Sequence, residues 1–334
     1  MNAPVFIIAE AGVNHNADLT LAHRLIDAAR EAGADAVKFQ TFEAEKLAAK
    51  SAPRAAYQEL RSGAGDQVSM LRGLELRPEW HAELAAHCGD AGIEFMSTPF
   101  HSEAADLLRP LVRRFKIGSG DLTDSSLLEH VAAMGKPLIL STGMSTEKEI
   151  AAAVDVLSRR GAEVTLLHCT SLYPAPFEAV NLSAIATLRK RFALPVGYSD
   201  HTRGIAVSIA AAALGAVVIE KHFTLDRALP GPDHAASLEP KELVQLVESI
   251  RAVECAMGDG VKRIMAGEDA IRRVARKSVV AAADLEAGQV LTRSMLAVKR
   301  PGTGISPFDI VKVVGRRLGR AVKWDEVVTW DMLQ

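Results

Sequence analysis

The sequence predicts an α/β chain, a (β/α)8 TIM barrel followed by a small C-terminal domain. Three observations carry this. Eight short apolar runs are continuous rather than alternating, as parallel strands buried on both faces require. Amphipathic helical segments lie between them, giving the alternation from which a parallel barrel is built. The chain has 334 residues, 49% of them hydrophobic, which fills one large core and leaves a remainder of roughly 60 residues that can fold alone.

Taken in order, the strands are expected at Phe6–Ala9, Ala36–Phe39, Glu94–Ser97, Arg114–Ile117, Leu138–Leu140, Val164–Leu167, Pro195–Tyr198 and Val217–Ile219. Leu19–Glu31 places Leu21, Leu25, Ile26 and Ala29 on one helical face and stops at Ala32-Gly33. Ser145–Leu157 has Ser145 or Thr146 as N-cap, with Glu147 and Glu149 in a first turn that favours acids. Pro240–Met257 opens with proline at the first helical position. The stretch Thr41 to Arg77 is over-long for a connection and is expected to carry helical pieces and a functional role. After Met257 the pattern changes. The expected boundaries are 1–258 for the barrel, 259–276 for a basic, polar linker and 277–334 for the second domain. That domain holds short runs at Ser278–Ala282, Met295–Lys299 and Val327–Thr329, with turn signals at Glu286-Ala287-Gly288 and Pro301-Gly302-Thr303-Gly304.

Bulk composition narrows the partners. A net charge of -2 supplies no basic field for nucleic acid or anionic lipid, so small molecules or a second copy of the chain are expected. Cys88, Cys169 and Cys255 are far apart and odd in number, which suggests neither a disulfide framework nor a zinc cluster. Met1 to Pro4 has no basic n-region, and the apolar stretch Ile205 to Ile219 is short of the ~20 residues a membrane span needs. No membrane association and a cytoplasmic location are the expectation.

A barrel carries its chemistry at the C-terminal ends of its strands. After the eight runs stand Glu10, then Lys38 and Gln40, Thr98, Lys116 with Ser119, Ser141-Thr142, His168, Ser199-Asp200-His201 and Glu220-Lys221-His222. Strand ends that meet water are polar anyway. Lysine and glutamate at the tips of deeply apolar strands, however, are costly unless paired or liganded. Lys38, Thr98, Lys116, Ser119, Ser141 and Ser199 are cations and hydroxyl donors, suited to a phosphate and a carboxylate on one small anion. Gly118 and Gly120 let backbone N–H groups approach it. His201 and His222 end successive strands and suit a borderline divalent metal with open positions, and spacing alone does not choose between manganese, magnesium, zinc and cobalt. His15 and His168 are weaker candidates, and His168 reads equally as a hydrogen-bonded wall residue. Glu10, Glu220 and Asp233 remain as proton movers or hydroxyl binders, with Asp233 held in the stiff loop Pro230-Gly231-Pro232-Asp233-His234 or simply in a surface turn.

These residues resemble the N-acetylneuraminate (sialic acid) synthases, over nearly the whole chain. The resemblance lies in Ile8-Ala9-Glu10-Ala11-Gly12-Val13-Asn14-His15-Asn16, Val37-Lys38-Phe39-Gln40-Thr41, Ser97-Thr98-Pro99-Phe100, Lys116-Ile117-Gly118-Ser119-Gly120 and Ser141-Thr142-Gly143-Met144. It continues in His168-Cys169-Thr170, Tyr173-Pro174, Gly197-Tyr198-Ser199-Asp200-His201-Thr202, Glu220-Lys221-His222-Phe223-Thr224 and Pro230-Gly231-Pro232-Asp233-His234. Lys299-Arg300-Pro301-Gly302 with Gly304-Ile305-Ser306 resembles the family's antifreeze-like (SAF) domain. The resemblance implies a barrel that binds phosphoenolpyruvate through Lys38, Thr98, Lys116, Ser119, Ser141 and Ser199, and a divalent metal, typically Mn2+ with Mg2+ or Co2+ as alternatives, on His201 and His222. It implies sugar contacts from Glu10, Gln40, Ser171, Tyr173 and Asp233, proton transfer by Glu220, and a homodimer whose small domain caps the partner's barrel with Arg300.

By this resemblance the reaction joins phosphoenolpyruvate to an N-acylated amino-hexose, N-acetylmannosamine in the main reading, releasing phosphate by C–O cleavage. One departure bears on the sugar. Where some members have Asn two residues before the Tyr-Pro pair, this chain has Ser171. The alternative is a legionaminic acid synthase using 2,4-diacetamido-2,4,6-trideoxy-mannose. The stretch Pro230–His234 looks less like the pseudaminic acid branch. More distant alternatives are a pyruvate aldolase with Lys116 or Lys221 as Schiff-base lysine, and a non-catalytic sugar-binding protein.

Overall fold

The structure is a computed structural model that describes residues 3–53 and 66–334. Part of the long connection between Thr41 and Arg77 therefore lies outside the described residues. The described chain divides into two compact units, Met1–Asp259 and Gly260–Gln334.

The first unit is the expected barrel. Its strands are β1 Phe6–Gly12, β2 Ala36–Thr41, β3 Glu94–Pro99, β4 Phe115–Ile117, β5 Leu138–Ser141, β6 Val164–Cys169, β7 Val196–Asp200 and β8 Val218–His222. They pair in the order β3-β2-β1-β8-β7-β6-β5-β4, every pair parallel. The ring is complete except at one seam. There β3 and β4 lie side by side, but no ladder joins them among the described residues. Arg114 bridges the lower end of the seam to Glu94, with Nε 2.9 Å from Oε1. Seven strands run past the end of their apolar runs, because ladder pairing continues after the last apolar side chain and takes in the polar residues that follow.

Around the strands lie α1 Leu19–Glu31, α2 Ala44–Leu47, α3 Gln67–Arg72, α4 Trp80–Ala91, α5 Ser102–Leu108, α6 Ser125–Ala132, α7 Glu147–Arg159, α8 Ala184–Phe192, α9 Ala206–Ala213 and α10 Pro240–Met257. α1 is capped by the Asp18 side chain and buries Ala22, Leu25, Ile26 and Ala29, so Ala22 takes the place expected of Leu21. Thr146 caps α7 in a reciprocal capping box with Glu149, which satisfies two otherwise orphaned donors. Among the described residues, α2 and α3 are the helical pieces of the long connection. No described helix is long and apolar enough to cross a membrane.

Strand alternation sorts every side chain to one of two cores. Outward residues pack against the helices. Inward ones, Ile8, Ala36, Met96, Ile139, Leu167 and Val218, fill the barrel. On β7 the matching position is Gly197. A Cβ there would come 2.4 Å from the Val218 carbonyl oxygen and 2.7 Å from Leu167 Cδ2, so the interior has room only for hydrogen. Two residues further along each strand the inward position opens at the barrel mouth.

The second unit has its own core of Val279, Ala281, Leu285, Leu291, Leu296, Ile305, Val313, Leu318, Val322 and Val328. It contains α11 Glu268–Ala275, an antiparallel pair β9 Ser278–Ala281 and β10 Leu296–Lys299, and α12 Ile310–Val313. The run expected at Val327–Thr329 is reduced to a single bridge between Val327 and Val280.

Candidate active site

The step of two from the interior layer names the mouth. Ile8 leads to Glu10, Ala36 to Lys38, Met96 to Thr98, Ile139 to Ser141, Leu167 to Cys169, Gly197 to Ser199 and Val218 to Glu220. All of these line one cavity of about 380 Å³, together with Gln40, Lys116, Ser119, Ser171, Tyr173, His201, His222 and Asp233. The structure thus brings together every residue to which the resemblance gives a role except Arg300. Arg300 belongs to the second unit, where it is exposed and precedes a cis bond to Pro301.

At the floor two lysines and two glutamates interlock. Lys38 Nζ lies 2.6 Å from Glu10 Oε2 and 3.9 Å from Glu220 Oε2, and donates to Thr98 Oγ1 at 3.0 Å. Lys116 Nζ lies 3.6 Å from Glu220 Oε1, which also accepts from Ser199 Oγ at 3.0 Å. Gln40 Nε2 donates to Glu10 Oε1 at 3.1 Å. The two carboxyls are driven apart. Burial pushes Glu10 above the usual carboxylate range against the pull of Lys38, and the charge of Glu220 adds to the rise. Burial alone would raise Glu220 too, but Lys116 and Lys38 together outweigh it and hold it down at about 2. Glu220 therefore keeps its charge and Glu10 takes the proton more readily, the separation of roles that acid and base work needs. Ser141 Oγ and Glu220 Oε2 are buried with no hydrogen-bond partner among the described residues, as befits atoms aimed at a ligand. Ser119 Oγ accepts from Gly143 N at 3.0 Å, tying the Gly118–Gly120 turn to the loop after β5.

Above this floor the His201 and His222 rings stand 5.4 Å apart between centroids. Nδ1 of His201 lies 2.8 Å from the Thr170 carbonyl, which can only accept, so Nδ1 carries a proton, and in the neutral ring the lone pair is on Nε2. That Nε2 faces the Tyr173 hydroxyl at 2.9 Å. Burial and the neighbouring His201 hold His222 well below the ordinary imidazole range, keeping it neutral, and its Nδ1 has no hydrogen-bond partner among the described residues. Asp233 Oδ2 is 3.9 Å from that nitrogen, and burial raises its carboxyl to about 6. Against burial, the neighbouring Cys169 and the Thr170 carbonyl hold His201 above the ordinary imidazole value, so it is His222 that offers a lone pair outright and His201 that offers one once its Nε2 is deprotonated, a pair that fits a borderline divalent cation. Among the described residues no three His, Cys, Asp or Glu side chains converge on one point, so further positions would fall to water and substrate.

Strand parity corrects several expectations. Of the two readings of His168, the hydrogen-bonded wall residue holds: it points out of the barrel and hydrogen-bonds the Val180 carbonyl at 2.7 Å, while Cys169 takes the inward place. His15 is buried outside the cavity, its Nδ1 accepting from Ala17 N at 3.1 Å. Asp200 faces away from the mouth, so it is no carboxylate partner for the histidines there. Lys221, offered above as a Schiff-base lysine, is turned outward and paired to Asp200 at 2.9 Å. The sequence reading missed the apolar wall. Val13, Met70, Leu71, Leu74 and Phe100 line one side of the cavity, the middle three from α3 and the turn after it. A short apolar run in an over-long connection was the only signal available.

A parallel barrel with this mouth, followed by a domain matching the SAF model over residues 276–334, defines a synthase of the sialic-acid type, and the chain is an enzyme. The NeuB family model matches residues 25–262, and the chain belongs to that family. It is 48% identical to the N,N'-diacetyllegionaminic acid synthase of Campylobacter jejuni, over 96% of this chain and 98% of that one. It is 46% identical to the synthase of the same name from Legionella pneumophila, over 98% of this chain and 94% of that one. Among solved structures, the N-acetylneuraminic acid synthetase of Leptospira borgpetersenii in complex with citrate superposes with a TM-score of 0.73 at 38% identity, covering 80% of this chain and 90% of that one.

Proposed function

We propose that this enzyme condenses phosphoenolpyruvate with 2,4-diacetamido-2,4,6-trideoxy-mannose to give N,N'-diacetyllegionaminic acid and phosphate. The observation that carries the choice of sugar is the near full-length identity of 48% and 46% to two synthases of that product, against 38% to a sialic acid synthetase. The apolar wall of Val13, Met70, Leu71, Leu74 and Phe100 supports it. A 6-deoxy sugar with a second acetamido group offers methyl groups where N-acetylmannosamine offers hydroxyls, and a buried hydroxyl facing apolar side chains loses its water without replacement.

The residues divide the work as follows. Lys38, Lys116, Thr98, Ser141 and Ser199 hold the phosphate and carboxylate of phosphoenolpyruvate, with Ser119 and the glycine turn beside them. Carbon 3 of phosphoenolpyruvate attacks the sugar aldehyde, water adds at carbon 2, and the C–O bond to phosphate breaks. Glu220, charged and held by Lys116 and Ser199, orients that water and receives its proton. Glu10, the more readily protonated carboxyl, donates to a sugar oxygen, with Gln40 fixing its other face. Asp233, Tyr173 and Ser171 line the sugar side of the cavity. A divalent metal held by His201 and His222, Mn2+ before Mg2+ or Co2+, supplies Lewis-acid polarisation of the aldehyde oxygen when bound. In a homodimer, Arg300 of the small domain reaches the sugar in the partner's barrel.

Phosphate release from phosphoenolpyruvate and Mn2+ is measured with each sugar in turn. Faster turnover of the diacetamido sugar, by about tenfold or more in kcat/KM, is expected. A preference for N-acetylmannosamine would return the enzyme to the neuraminate branch.

A further inference from the structure

Behind the two mouth histidines, on the outer face of the barrel, lies a second polar cluster that does not line the active-site cavity. Asp200 and Lys221 are ladder partners on β7 and β8, each the residue immediately before a mouth histidine. Their charged groups are 2.9 Å apart and their side chains 0% and 1% exposed. Every polar atom of the pair is engaged. Asp200 Oδ1 accepts from Thr202 N at 2.8 Å and from the Tyr198 hydroxyl at 3.3 Å. Asp200 Oδ2 accepts from Ser208 Oγ on α9 at 2.6 Å as well as from Lys221. Lys221 Nζ also donates to the Thr202 carbonyl at 2.5 Å, so the loop just past His201 is held at both its N–H and its carbonyl.

Stability does not explain such a cluster. A buried ion pair loses about as much on desolvation as it regains, and apolar residues of similar size commonly serve as well or better. What it fixes is geometry. It locks the β7 end, the β8 end and α9 into one register, and the two residues that inherit this register are His201 and His222.

The geometry points to Asp200 and Lys221 as positioning residues that set the mutual placement of His201 and His222, and through it the affinity of that pair for a divalent cation. This rests on the metal reading of the two histidines, so the experiment separates the two ideas. The full chain carrying both Asp200→Asn and Lys221→Met keeps the side-chain shapes and leaves no unpaired buried charge. Mn2+ alone is titrated into it by calorimetry without substrates, and the His201 tautomer is read by 15N NMR with no metal present. The expected result is a variant that keeps its fold by circular dichroism, binds Mn2+ at least about tenfold more weakly, and shows His201 as a mixture of tautomers instead of the Nδ1–H form. Parental Mn2+ affinity together with an unchanged tautomer overturns the proposal. If the parent chain binds no Mn2+, the metal reading fails, and the tautomer alone then decides: mixed upholds positioning, unchanged overturns it. Should the double variant not fold, Ser208→Ala removes one hydrogen bond to Asp200 and leaves the charges in place. A loss of Mn2+ affinity of about threefold upholds the proposal, and an unchanged affinity overturns it.

Discussion

At the scale of single residues, the neutral imidazoles set how the barrel responds to acid. His15 is 0% exposed, and burial, with His81 and His234 nearby, lowers its pKa to about 4. His81 is lowered by burial too, and His234 falls to about 4 for the same reason. Below the ordinary histidine pKa of 6.5 the unfolded chain takes up protons that the folded chain refuses. Stability present above that pH is therefore lost as pH falls from 6.5 towards 4. For His15 alone the loss at pH 5 is on the order of 2 kcal/mol. Urea unfolding at pH 7, 6 and 5 measures it, and His15→Asn, whose amide can still accept from Ala17, is expected to flatten the slope. An equal slope in that variant assigns the acid sensitivity to other groups. At this scale the sequence was legible where parity could be counted. Glu10, Lys38, Thr98 and Ser141 each stand two residues past an interior side chain. His168 carried two readings because apolarity alone does not give the parity of a strand end, and the step of alternation that puts Cys169 inward leaves His168 as the hydrogen-bonded wall residue.

At the scale of elements, β7 carries the tightest constraint. Gly197 sits where its neighbours leave no room for a Cβ, and the strand it belongs to delivers Ser199 and Asp200 and leads directly into His201. Gly197→Ala must push β7 away from β8 or displace Leu167. A destabilisation of roughly 1–3 kcal/mol by urea unfolding is expected, with weaker phosphoenolpyruvate binding because Ser199 and Glu220 no longer meet. A variant as stable as the parent would show that the barrel interior yields easily at this point. The strands and the three named helices were legible because each is a local pattern, a run or a period. The wall made by α3 was not, since Met70 and Leu71 meet the cavity through a connection whose path no local pattern encodes.

At the scale of the whole molecule, the proposed sharing of Arg300 between two chains has a consequence for mixtures. His222→Ala disables a barrel and Arg300→Ala disables a cap. If each site combines one chain's barrel with the other's cap, a mixed dimer holds one intact site. Unfolding and refolding the two inactive variants together then restores about a quarter of parental activity, since half the dimers are mixed and each has one good site of two. No recovery would mean that each chain completes its own site, and an Arg300→Ala chain with parental activity would mean that Arg300 does not reach the sugar. The sequence spoke to this level only by resemblance, because residues far apart in one chain leave no spacing from which a meeting across two chains can be read.

The seam between β3 and β4 gives the barrel a beginning and an end. Strands such as β1 and β8 are stitched along both sides, and their amides are expected to exchange with solvent only when the whole unit opens. On β4, three residues long and stitched along one side, the cheapest opening is local. Lys116 rides on that strand, while Thr98 stands across the seam on β3 and Lys38 beyond it on β2. A phosphate gripped by all three joins the two banks with its own charge. Under the proposed chemistry bound phosphoenolpyruvate is then also the last stitch in the ring, slowing exchange on β4 more than anywhere else, and the departure of free phosphate lets the seam part again.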